Sequence, residues 1–159
     1  MALRQIRQVD DEILRKKAKP VSEIDDKTRT LLDDMLETMY AANGVGIAAP
    51  QVGILRRVVV IDMSVGEEEG GVIELINPEL IKTEGSQINI EGCLSIPDEH
   101  AYVERPEIVS VRALDRDGNM REYKAEGNLA IAFCHELDHL DGILYTDKAI
   151  ADYEEEDED

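Results

Sequence analysis

The segment CHELDHL, residues 134–140, constrains this chain more than any other stretch. It sets His135 and His139 four positions apart, with Glu136 directly after the first. Two imidazoles at that spacing meet at one point when the backbone is helical, because positions i and i+4 lie a turn apart on one face. The flanking residues agree. Leu129, Ile131, Ala132, Phe133, Leu137 and Leu140 describe a largely buried helix ending at Asp141-Gly142. A helix that is apolar on most sides needs cover on most sides, and strands are the expected cover.

The rest of the chain supplies those strands and one more helix. A short helical turn is expected around Asp11–Lys17, ended ahead of Pro20. Ser22 has the chemistry of an N-cap for a long helix in which Ile24, Leu31, Leu32, Met35, Leu36 and Met39 share one face. Asn43-Gly44 then offers a left-handed stop. RRVVVIDM (56–63) is a β-branched run that reads as a buried strand, and GEEEGG (66–71) as an exposed loop. Residues 72–92 predict two or three short strands around Pro78 and Gly85. IVSVRALD, RDGN and MREYKA, over 108–125, predict a hairpin. The expected class is α+β: mostly antiparallel sheets around a buried helix carrying HELDH, plus a long N-terminal helix. One domain is expected over 1–150, followed by an acidic, disordered tail over 151–159.

Charge and composition narrow the partners. Among 159 residues, 17 are Lys or Arg and 36 are Asp or Glu, a net charge of −19. Such a field repels nucleic acid and anionic membrane, so direct binding to either is not expected. No apolar run approaches the roughly 18 residues of a membrane span, and MALRQIRQVDDEIL lacks the apolar core of a secretory signal. A cytoplasmic protein is therefore expected. In that compartment Cys93 and Cys134 are expected as thiols or metal ligands, with a redox pair as the alternative.

His135 and His139 can reach one tetrahedral ion, and Glu136 stands where a carboxylate reaches a water on that ion without ligating it. The competing reading is a helix whose histidines are satisfied by hydrogen bonds alone. A catalytic metal site also needs a third protein ligand and one open corner. Downstream of His139 there is no histidine, only Asp141, Asp147, Asp152 and the tail acids. Upstream, IEGCLSIP puts Cys93 at a tight turn, where a thiolate would complete a Cys-His-His set and an ordinary buried thiol is the alternative. GVGIAAPQ (44–51) brings Gly44 and Gly46, which let a ligand approach the backbone, and Gln51, a neutral donor and acceptor. His100 reads as a surface residue.

GVGIAAPQ, EGCLS and HELDH, in this order, resemble the motifs of the peptide deformylases. The likeness covers nearly the whole chain, from the long N-terminal helix to DGILY after the histidines. It implies a metal-dependent hydrolase that removes the N-formyl group from formyl-methionine at the N-terminus of newly made polypeptides and releases formate. By this resemblance Cys93, His135 and His139 hold a divalent cation, Fe(II) being expected, with Zn, Ni or Co able to occupy the site in purified protein. Metal-bound water attacks the formyl carbon, Glu136 is the acid/base, and Gln51 with the backbone N–H of Leu94 forms the oxyanion hole.

The resemblance also implies substrate contacts. Val45 and Gly46 would meet an extended peptide, and Val45, Ile131 and Ala132 would line a pocket for the methionine side chain, although Ile131 and Ala132 serve equally as plain core. Glu91 and Asp138 are candidates to orient the ligands. The implied partners are formyl-methionyl nascent peptides and a transient ribosome contact, made by a surface other than the acidic tail. The chain departs from the family in two places. His100 stands near a position where some members carry an arginine that helps hold substrate, and Cys134 stands where glutamine is frequent. A zinc peptidase built on the same helix would lack its downstream ligand and leave EGCLS without a role. A non-catalytic metal-binding module would have no use for Glu136 and Gln51.

Overall fold

Strand β1 (Gly46–Ala48) and strand β2 (Val58–Ile61) pair antiparallel, and every side chain of β2 is buried. Alternation sends Val58 and Val60 to one face of the sheet, Val59 and Ile61 to the other. Each face has its own helix. Helix α1 (Asp26–Ala41) packs Leu32, Met35 and Met39 against Val58 and Val60. Helix α2 (Gly127–Leu140) packs Ala130, Phe133 and Leu140 in the cluster that holds Val59 and Ile61. A strand covered on both faces reads as an unbroken aliphatic run, which is why VVVI shows no alternation in sequence.

This computed structural model describes residues 2–153. Strands β3 (Ile73–Glu84), β6 (Ile108–Leu114) and β7 (Met120–Glu126) complete the first sheet, in the order β1-β2-β3-β6-β7. Strands β4 (Gln87–Cys93), β5 (Ile96–Arg105) and β8 (Ala149–Asp152) form a second sheet in the order β4-β5-β8. All strand pairs in both sheets are antiparallel. A third apolar cluster of Leu14, Ile96, Val103, Leu144 and Tyr145 lies under the smaller sheet. The α+β reading and the buried HELDH helix therefore hold.

Three sequence expectations shift. The cap of α1 is Asp25, whose carboxylate accepts from the Thr28 N–H at 3.0 Å, and not Ser22; an Asp three residues later closes the first turn and complements its dipole. Residues 72–92 hold two strands parted at Gly85, within the expected two or three, but the first is long and runs through Pro78. Pro78 does not end β3, because the register slips between Ile76 and Glu79 and absorbs the residue without an N–H in a bulge. Ala151 and Asp152 of the expected tail belong to β8, paired with Tyr102 and Ala101, and Tyr153 follows them; residues 154–159 of that tail lie outside the described residues. The hairpin over 108–126 and the left-handed Asn43 (φ 59°) stand as expected. Among the described residues no helix is long and apolar enough to cross a membrane.

The turn after α2 depends on glycine. Gly142 has φ 74°, and a Cβ there would lie 2.5 Å from the Arg15 carbonyl oxygen, which is backbone and cannot step aside. Gly142→Ala is expected to destabilise the fold by about 1–3 kcal/mol, seen as a lower urea midpoint at an unchanged slope; an unaltered midpoint would show that the end of α2 tolerates a shift.

Candidate active site

Helix α2 carries His135 and His139 on one face, as the spacing requires, and both rings are buried. Their Nε2 atoms lie 3.3 Å apart, and the Cys93 sulfur lies 3.4 Å from the Nε2 of His139. The three donor atoms fall within 4.8 Å of one another. A tetrahedral ion with bonds of ~2.0–2.1 Å to nitrogen and ~2.3 Å to sulfur sets its ligands about 3.3 Å (N to N) and 3.6 Å (N to S) apart. The observed separations fit that set. Cys93 comes from the end of β4, where a bulge after Glu91 turns the strand toward α2. The alternatives of a third ligand from Asp141, Asp147 or Asp152 fall away, since none of them joins the cluster.

A second ring of contacts orients these donors. The Nδ1 of His135 lies 2.9 Å from Glu91 Oε1, so Nδ1 carries a proton toward that carboxylate and Nε2 is the nitrogen that faces the other donors. Arg105, 3% exposed, donates to both oxygens of Glu91 at 2.8 and 2.9 Å and to Asp138 at 2.7 Å. Glu91 thus takes the orienting position expected of it; Asp138 touches none of the three donors and pairs with Arg105 and Lys148 instead, and Arg105 was not anticipated. Its signal was the alternation Ala101, Val103, Arg105 along β5, which turns a guanidinium inward where it needs acidic partners. Tyr145 stacks on His135 with ring centroids 6.0 Å apart.

The charges of the site favour a cation. Burial opposes a charged His135, but the Glu136 and Glu91 carboxylates and the Cys93 sulfur outweigh it and push the imidazole up to about 10. A proton or a metal ion answers the same field. His139 is held well below the usual imidazole range by burial, then by His135 and Arg105, so its ring stays neutral and able to ligate. The buried Nδ1 of His139 and Oε1 of Glu136 have no hydrogen-bond partner among the described residues. Burial pushes the Glu136 carboxyl up to about 7, within the range of a group that takes and returns a proton near neutrality.

These groups floor a cavity of about 640 Å³. Nine of the ten predicted site residues line it: Val45, Gly46, Gln51, Cys93, Leu94, Ile131, Ala132, His135 and Glu136; His139 lies beneath. Gln51 is held by the Ala48 N–H, which donates to its Oε1 at 2.9 Å, so Nε2 points toward Ser95 Oγ (3.1 Å) and Cys93 Sγ (3.6 Å). Gly46 is required by closeness, because a Cβ there would sit 2.6 Å from Glu136 Oε2. His100 is exposed, as expected, but it also lines the cavity rim beside Gly92. Cys134 is a buried free thiol in the core cluster, so the cysteines are not paired.

Residues 3–155 match the family model described as polypeptide deformylase. The chain belongs to that family. It is 61% identical over 150 residues to the peptide deformylase of Alkaliphilus metalliredigens, covering 94% of this chain and 99% of that one. It is similar in structure to the peptide deformylase of Legionella pneumophila, with a TM-score of 0.89 and 45% identity over 92% of this chain and 85% of that one. The peptide deformylase of Thermotoga maritima gives a TM-score of 0.87 and 40% identity over 92% and 97%. Membership makes the chain a deformylase-type hydrolase, one that takes the formyl group from nascent peptides.

Because Glu91 ties His135 to Arg105, its charge matters to the donors it never touches. Glu91→Gln is expected to weaken retention of a divalent cation by about 10–100-fold, read by chelator competition; unchanged retention would show that His135 orients itself.

Proposed function

We propose that the cavity hydrolyses the formyl amide of formyl-methionyl peptides, with Cys93, His135 and His139 holding a divalent cation and Glu136 moving the proton. The observation that carries this reading is the buried, unpartnered Glu136 Oε1 beside three convergent donors on the cavity floor. Fe(II) is the proposed ion, and Zn, Ni or Co accept the same donors. When bound, such a cation supplies Lewis acidity to a water and to the formyl oxygen.

Glu136 takes a proton from the attacking water and passes it to the amine as the formyl C–N bond breaks, releasing formate and a free N-terminus. Gln51 Nε2 and the Leu94 N–H donate to the oxygen that gains charge at the tetrahedral stage. Gln51 suits this task because its amide is locked by Ala48 and pays no reorganisation during reaction. Val45, Ile131 and Ala132 offer the apolar wall for the methionine side chain, and Gly46 lets the substrate backbone pass close to Glu136.

Two free strand edges support an extended substrate. β1 ends the larger sheet and β4 ends the smaller one, and residues of both line the cavity. A peptide lying between them gains main-chain hydrogen bonds that do not read side chains, which suits a substrate of any sequence. The substrate is a nascent chain, so the protein is placed in the cytoplasm with transient access to the ribosome.

Formate release from a formyl-Met peptide, without backbone cleavage, is the expected activity; cleavage of an unformylated peptide would favour a peptidase instead. Glu136→Ala should keep its metal and lower turnover by about 10²–10⁴-fold, and near-normal formate release would remove Glu136 from the mechanism. Gln51→Ala should lower kcat by about 10²–10³-fold with KM little changed; a purely KM effect would make Gln51 a binding group.

A further inference from the structure

The net charge of −19 hides a local reversal. Lys16, Lys17, Lys19 and Arg56 are exposed and make no ion pair among the described residues. Their basic neighbours are already neutralised: Arg7 by Asp11, Arg15 by Asp147 and Arg57 by Asp141. The fold gathers Lys17, Lys19 and Arg56, and Lys16 precedes them on the same exposed segment. Ala18 is buried in the core, with its N–H donating to the Leu140 carbonyl at 2.8 Å, so the extended backbone turns Lys17 and Lys19 outward together. Lys19 forms a parallel bridge with Arg56, with Lys19 N–H to Leu55 O and Arg57 N–H to Lys19 O both at 3.0 Å. Directly bridged residues leave the same face of a ladder, which sets Arg56 beside Lys19. The row continues into a shallow cavity of about 440 Å³ that Arg56 shares with Arg4 and Lys27; Asp25 and Asp26 there are engaged by the α1 cap and by Arg29.

We propose that this row is a docking surface for the phosphodiester backbone of RNA. Unpaired point charges on a rigid extended backbone meet phosphates without reading sequence. An anionic bilayer fits less well, since membrane-surface elements pair their cations with several large apolar side chains, whereas residues 15–19 and 55–57 expose none and Leu3 beside Arg4 stands alone. None of the four cations lines the active-site cavity, so the row can be occupied while the cavity stays open. The inference rests on the reading that the substrate is a nascent chain, whose source is an RNA-rich particle. It also supplies the surface that the acidic C-terminal segment cannot.

The test uses the full chain, purified 70S ribosomes and deproteinised ribosomal RNA. Wild-type protein is expected to bind both, with affinity falling roughly a hundredfold between 50 and 200 mM KCl if four phosphates are met. The variant K16E/K17E/K19E/R56E should bind at least tenfold more weakly at 50 mM, and K17Q/K19Q should weaken binding by an intermediate factor. Formate release from a free formyl-Met peptide should stay within twofold in both, which also certifies their fold. K124E, a charge reversal on β7, should leave binding unchanged. Equal binding by wild type and the reversed variant, or no binding by wild type, overturns the proposal. So does binding to ribosomes but not to their RNA, which would assign the row to a protein, or equal loss of binding to phosphatidylglycerol vesicles, which would assign it to lipid. Failure of formate release in the wild type would instead overturn the functional reading and leave the RNA measurement standing on its own.

Discussion

A buried guanidinium holds this molecule's working parts together. Arg105 lies on β5 in the smaller sheet, yet its partners are Glu91 on β4 and Asp138 on α2, the helix that fills the larger sheet's inner face. A charge removed from water is costly unless it is paired and hydrogen-bonded, and here two carboxylates use its donors. The arrangement is specific rather than merely stabilising: apolar side chains could bury similar area, but they would not set the rotation of Glu91. Glu91 in turn decides which nitrogen of His135 is free. Through one residue the docking of a sheet on a helix becomes the tautomer of His135.

The site is consequently a property of the assembled fold and of no single element. Cys93 belongs to the smaller sheet, both imidazoles and Glu136 to α2, Gly46 to β1 and Gln51 to the turn that follows it. Each group is short of something alone. The histidines lack a third donor, the thiol lacks a counter-charge, and Glu136 lacks a partner for one oxygen. Convergence of three donors creates a field that favours a cation, so ion binding and the docking of the two sheets reinforce each other. Gly46 shows how tight that convergence is, since the backbone of β1 passes where any side chain would strike Glu136.

Much of this was legible in the residues. HELDH demanded a helix, VVVI a buried strand, and the three motifs together pointed to a family and to ten site residues that the fold does gather. The parts that escaped are those set by tertiary context. Ser22 and Asp25 are both good caps, and only the path of the chain into α1 chooses between them. Pro78 reads as a strand breaker because nothing local announces a bulge. Arg105 sits in VERPE among acids and resembles a surface charge until β5 is known to turn every second residue inward. His100 was placed on the surface correctly, but its position on the cavity rim depends on β5 folding back along β4 beside Gly92.

Net charge is a coarse guide for a related reason. An average over 159 residues describes the far field, which screening removes beyond about 8–10 Å at ordinary ionic strength. At contact only local charge counts. RKKAK looks like a short basic run in an acidic chain, and half of its meaning lies in the alanine. Burying Ala18 against α2 forces the lysines on either side outward, and the bridge to Arg56 adds a cation from a distant part of the sequence. Asp11, Asp25, Asp141 and Asp147 are committed elsewhere, at a helix cap and to neighbouring arginines. Under the proposed docking, a polyanion repelled by the acidic faces would be accepted at this one, so the same charge that disfavours indiscriminate binding would orient a specific encounter.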